Sequence, residues 1–172
     1  MAKPSGEKPY RVFLNANVLI AGSSFPRWAY EVLSHALKGG FQVILSPFVI
    51  EQARKHLKKD FPTSAQARFE KFLYDVHYKE VPDPTPKEVL ENKDLVRHLD
   101  DIPLALSVIK AKVDYLVTED KDFTTKDKTT EKLRRFVQPM LCGTFLKEVI
   151  GWTSEDLEEA RHRKWLDIES NN

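Results

Sequence analysis

Apolar and polar positions follow two periods along this chain, and the periods take turns. Short, largely apolar runs end abruptly at polar residues: Tyr10–Leu14, Phe41–Leu45 and Tyr115–Val117. Their length and their β-branched and aromatic content predict buried strands. Between them, apolar residues recur every three or four positions, as on a helix with one buried face. Trp28, Val32, Leu33, Ala36 and Leu37 predict a helix from Pro26 to Lys38, stopped by Gly39-Gly40. Ser46 before Pro47 is a helix start and predicts a helix to about Lys59. Ala67, Phe69, Phe72, Leu73 and Val76 predict another from Ser64 to His77. Tyr78–Val81 and Phe136–Val137 read as further short strands, Pro82–Pro86 as a loop, and Val89-Leu90 as part of a short helix. Asp100 to about Lys112 is the last helix before Tyr115–Val117. The segment from Arg11 to Ile20 reads as one strand that stops at a polar turn near Asn15.

Strands alternating with helices predict an α/β fold: a parallel sheet between helical layers, three-layer α/β/α. The expected organisation is a disordered leader over 1–8, one domain over 9–150 and a C-terminal helical extension over 151–172. The extension opens with Thr153 and Asp156 at capping-box spacing and is charge-rich, with Leu157, Trp165 and Leu166 its few apolar residues.

Composition narrows the class. A 172-residue chain with 41% hydrophobic and 31% charged residues is the size and make-up of one globular domain. No run approaches the ~18 apolar residues of a membrane span, and Met1–Lys8 lacks the apolar core of a signal peptide. The single cysteine, Cys142, excludes an internal disulfide and fits a reducing cytoplasm, with a buried packing role. A net charge of +1 is low for a strongly basic nucleic-acid face. Basic residues do cluster locally, at Arg54–Lys59 and at Lys126–Arg135, where solvated helix surface is the bland explanation.

The candidate chemistry lies in acidic and amide side chains at the ends of predicted elements. Asn15 ends the first strand and suits a turn. Glu51 sits one turn into a helix, where the helix dipole alone favours an acid, yet apolar neighbours also give it a path inward. Asp100 and Asp101 precede Ile102-Pro103-Leu104; capping accounts for one and leaves the other free. Asp120 and Asp122 follow a central strand, where ligands bind in open α/β sheets. Carboxylates that converge repel one another unless a cation joins them. The five histidines show no metal-binding pair, and there is no phosphate-cradling glycine loop and no nucleophile elbow.

In this order and spacing, Phe13-Leu14-Asn15-Ala16-Asn17-Val18-Leu19, Ser46–Glu51, Asp100–Leu106 and Tyr115–Phe123 resemble the PIN-domain family of metal-dependent ribonucleases. The resemblance covers roughly residues 10 to 146 and is nearest to the VapC-like toxins of toxin–antitoxin pairs. It implies a parallel, roughly five-stranded sheet and hydrolysis of single-stranded RNA with Mg²⁺ or Mn²⁺. It also implies an antitoxin protein as partner and a homodimer. Matched onto this chain, the implied catalytic stations are Asn15, Glu51, Asp101 and Asp120. Asp122, and Asp100 behind Asp101, are further implied metal ligands. Asn17 and Thr118 are implied supports, and Lys121, Lys126 and Lys128 are the nearby cations for RNA.

Asn15 departs from the family, which has aspartate there. A full charge lost a few ångströms from a dication is worth on the order of a few kcal/mol, part of it offset by hydration. Weakened activity follows, whether the amide is natural or was introduced. Two alternatives stand beside the ribonuclease: a non-catalytic module of the same fold that binds RNA or protein, and an unrelated doubly wound phosphoryl-transfer protein. The last needs a strand-end aspartate nucleophile, and Asn15 holds that position.

Overall fold

The computed structural model describes residues 8–169. The expected leader therefore lies outside the described residues but for Lys8, as do the last residues of the extension. Five parallel strands form one sheet in the order β3-β2-β1-β4-β5, and helices flank it in an α/β/α arrangement.

The chain runs β1 (Arg11–Leu14), α1 (Ala16–Ser24), α2 (Trp28–Leu37), β2 (Gln42–Leu45), α3 (Pro47–Asp60), α4 (Thr63–Val76) and β3 (Lys79–Glu80). It continues through α5 (Pro86–Glu91), a 3₁₀ turn (Leu99–Asp101), α6 (Ile102–Lys110), β4 (Tyr115–Val117), α7 (Lys121–Thr124), α8 (Glu131–Arg134) and β5 (Gln138–Met140). It closes with α9 (Cys142–Phe145), a π-helical turn (Leu146–Ile150), α10 (Ser154–Ala160) and α11 (Trp165–Glu169). None of these helices is long and apolar enough to cross a membrane.

Val12, Phe13, Leu14, Leu45, Leu116 and Val117 are buried to the last few square ångströms. Strands covered on both faces need unbroken apolar runs, and these supply them. Each such side chain contributes about 1.5–3 kcal/mol through burial.

The structure departs from the sequence pattern at four places. Ala16–Ser24 is a helix, because Asn15 takes extended backbone and its side-chain oxygen accepts from the N–H of Ala16 at 2.7 Å. The apolar triplet Val18-Leu19-Ile20 carried no strand–helix contrast that would mark this boundary. The last strand is Gln138–Met140 and not Phe136–Val137; it forms the sheet edge, where Pro139 needs no ladder partner on its open side. Phe136 is exposed. The C-terminal helix is broken into α10 and α11 across residues 161–164, although the Thr153–Asp156 capping box is formed.

Finally, α4 begins at Thr63 after Pro62, one residue ahead of the predicted Ser64 cap. Cys142 is fully buried, with its N–H donating to Glu119 Oε1 at 3.0 Å. Burial pushes its thiol well up, so it stays a neutral packing group.

Candidate metal and nucleic-acid cleft

β1 lies between β2 and β4, so the chain leaves it in one direction to reach β2 and returns on the other side to form β4. Ligands bind outside the carboxyl ends of strands at such a switch point. Here those ends are stitched together. Leu14 pairs with Val117, and the N–H of Asn15 donates to the carbonyl of Val117 at 3.0 Å.

Thr118 is the hub of the next layer. Fully buried, its hydroxyl oxygen accepts from Asn15 Nδ2 at 2.9 Å, from the N–H of Asp120 at 3.1 Å and from Asn17 Nδ2 at 3.4 Å. Asn17 Oδ1 in turn accepts from the N–H of Glu119 at 3.2 Å. Residues a hundred positions apart are thereby fixed against each other. Asp120 Oδ1 accepts from the N–H of Asp122 at 2.9 Å, which caps α7 and turns both acids towards one edge.

On the facing side, the 3₁₀ turn delivers Asp101 to the start of α6. Asp101 holds the N-cap position without making a cap hydrogen bond. Capping was expected to occupy one of Asp100 and Asp101; neither carboxylate caps this helix, and both line the cleft. Asp101, Asp120 and Asp122 each offer an oxygen, and these oxygens lie within 4.8 Å of one another. Burial pushes the Asp101 carboxyl up, and the charges of Asp120, Asp122 and Asp100 push it further, against a smaller pull from His98. His98 Nε2 lies 3.2 Å from Asp122 Oδ2.

The donor set fits a hard divalent cation. Three carboxylates of like charge, two of them half-buried, suit an ion that takes carboxylate and water oxygens.

The cleft around this cluster has a volume of about 780 Å³. Asn15, Asn17, Asp100, Asp101 and Asp120 line its polar part. Glu51 does not line it and is exposed on α3. The expectation of a Glu51 ligand is therefore corrected at the level of placement. Successive helical residues point about 100° apart, and the cleft-facing stripe of α3 is Phe48, Gln52 and His56. Gln52 thus stands where a carboxylate from α3 was expected, so the cleft carries amides at two stations, Asn15 and Gln52.

Gln52, His56, Phe48 and His98 were not among the candidate residues. The i, i+4, i+8 spacing of Phe48, Gln52 and His56 was a readable signal for the first three. His98 carried none, because its position depends on the turn that follows it.

Among the expected cations, Lys121, Lys126 and Lys128 are exposed and have no ion-pair partner among the described residues. Lys132 and Arg135 are engaged by Asp94 and Glu131. Lys121 lies between Asp120 and Asp122 in sequence and opens α7.

No family model matches the sequence, and comparison with curated proteins finds no match. Solved structures do match. PAE2754 from Pyrobaculum aerophilum superposes with a TM-score of 0.56 at 17% identity, over 83% of this chain and 97% of its own. VapBC2 from Rickettsia felis, solved bound to a DNA fragment from their promoter, gives a TM-score of 0.49 at 16% identity, over 76% of this chain and 98% of its own. The second likeness is too slight to carry an argument. The first is one of fold, and PAE2754 is a PIN-domain protein. The chain has the PIN-domain fold.

Proposed function

We propose that this protein is a Mg²⁺- or Mn²⁺-dependent endoribonuclease that cleaves single-stranded RNA, held to low activity by Asn15 and Gln52. The observation that carries this reading is the meeting of Asp101, Asp120 and Asp122 within 4.8 Å, where Asp101 and Asp120 line one cleft at the sheet's carboxyl edge. Structure alone gives no reason to gather like charges; they raise the free energy of the folded chain unless something cationic shares them.

In this reading Asp101 and Asp120 would hold the cation, and Asp122 and Asp100 would complete the acidic wall. When bound, the cation would supply positive charge to polarise a phosphoryl oxygen and acidify a water. Thr118 keeps Asn15, Asn17 and the Asp120 loop in register. Lys121, Lys126 and Lys128 attract the phosphate backbone through exposed, unpaired charge. Asn15 presents a neutral oxygen already engaged by the N–H of Ala16, and Gln52 adds a second neutral group. Each amide removes one charge from the field that holds the dication.

Those amides also favour a second reading, in which the cleft binds RNA without cutting it. Cleavage of labelled single-stranded RNA in Mn²⁺ separates the two. For the nuclease, Asp101→Asn and Asp120→Asn abolish cleavage, while Asn15→Asp with Gln52→Glu raises it by at least about tenfold. Thr118 is compatible with the first restored acid, because its hydroxyl can rotate to donate to it. If the doubly restored chain binds RNA but does not cleave it, the non-catalytic reading holds.

A further inference from the structure

The cleft has an apolar part that the carboxylates do not use. Ile20, Phe48, Val89, Leu99 and Leu104 line it. Phe48 remains 38% exposed and Leu99 62%; Phe25 and Phe136 are exposed too but do not line this cleft, whereas Phe13, Phe69 and Phe145 are almost completely buried.

Phe48 is held firmly. It sits in the first turn of α3, behind the Ser46 cap, and its N–H donates to Asp83 Oδ1 at 3.2 Å. Gln52 lies one turn further along the same stripe, and His56 one turn beyond. The side chains of Gln52 and His56 have no hydrogen-bond partner among the described residues. A flat apolar ring, an idle amide and a cluster of hard oxygens thus share one cavity.

A nucleotide has the matching halves: an anionic phosphate, a flat ring, and a ring edge that donates and accepts hydrogen bonds. A base exposes its face for stacking only when it is unpaired. The cavity volume of about 780 Å³ lies within the ~300–1,000 Å³ usual for ligand sites.

We propose that Phe48 stacks an unpaired base of the RNA whose phosphate lies at the carboxylate cluster. This rests on the ribonuclease reading and adds a subsite to it. Phe48 then sets where the strand sits.

The test uses the full chain and short fluorescein-labelled single-stranded RNAs, normal or abasic, in Ca²⁺ so that binding is read by anisotropy. Wild type is expected to bind the abasic RNA about tenfold more weakly than the normal one. Phe48→Ala and Phe48→Leu are expected to lose about the same factor on normal RNA and nothing on abasic RNA; Phe48→Trp keeps the difference. Equal affinity of wild type and Phe48→Leu for normal RNA overturns the proposal, as does an equal loss on both RNAs. Mn²⁺ titration of the same proteins is the control. Normal Mn²⁺ binding without a base-dependent loss removes only the stacking subsite, whereas wild type that binds no Mn²⁺ removes the ribonuclease reading itself.

Discussion

Two regions of this molecule place polar side chains against an apolar frame, to opposite ends. Along one flank, the C-terminal segment is fastened to α1, α2 and α4 by matched partners. The guanidinium of Arg163 is paired with Glu31 and also donates to the carbonyl of Pro26 at 2.7 Å. The indole N–H groups of Trp28, Trp152 and Trp165 donate to Leu157 O at 2.8 Å, His35 Nε2 at 3.1 Å and Ser24 O at 3.1 Å. Arg68 lies 3.9 Å over the Trp165 ring, and Tyr30 meets that ring edge-on. At the sheet's carboxyl edge the same kinds of atoms are left mismatched, with Asp101 facing Asp120 and Asp122 and, among the described residues, no side-chain donor but His98 opposite them. Satisfied polar groups hold a fold together; gathered like charges are tolerated where a ligand completes them.

Breaking a matched contact has the larger effect on stability. Arg163→Ala leaves Glu31 without its cation in a site where the two side chains are only 23% and 16% exposed. The expected loss is about 2–3 kcal/mol, below the value for a fully buried pair. It reads as a lower urea midpoint and red-shifted tryptophan emission.

The Trp152–His35 contact gives a smaller, pH-dependent loss. Burial pushes the His35 pKa down, Lys38 adds to this, and Glu31 opposes it. A lowered folded value means the neutral ring is favoured in the folded chain. Its contribution is therefore fully present above the unfolded value of about 6.5 and lost as pH falls towards the lowered folded value. With the ring only partly exposed, the expected loss is about 0.5 kcal/mol, seen as a lower protection factor of the Trp152 indole proton, relative to its intrinsic base-catalysed exchange, at pH 5 than at pH 7.5. His35→Phe should flatten that dependence.

In the cleft the sign reverses. Asp101 has a raised folded pKa, so its protonated form is favoured on folding. Its contribution is present below the ordinary aspartate value of 3.8 and is lost as pH rises through the folded value. In EDTA at pH 7, Asp101→Asn is expected to stabilise the chain by a few tenths of a kcal/mol, after allowance for solvent. At pH 3 the two proteins should have equal urea midpoints. A destabilised Asp101→Asn at pH 7 would mean that Asp101 is a structural partner like Glu31.

The frame of both regions was legible in the sequence, because it rests on periodicity. β1, β2 and β4 are continuous apolar runs, and α2, α3 and α4 show helical spacing; each of these elements formed within a few residues of its expected bounds. Convergence of Asp101, Asp120 and Asp122 was legible as acids at element ends. Facing was not. Glu51 and Gln52 are neighbours in sequence, and only the rotation of α3, set by its packing against α1 and α4, turns Gln52 into the cleft. The docking of the tail was equally hidden, since Arg163 and Glu31 lie 132 positions apart and no local pattern links them.

The central claim is that the carboxylates exist to share a cation, and calorimetric titration with Mn²⁺ tests it most directly. Wild type should bind, Asp101→Asn and Asp120→Asn should each weaken binding by about tenfold or more, and Asn15→Asp should tighten it by a similar factor. Equal affinities across all four proteins would contradict it and leave the cleft an acidic hollow without an ion.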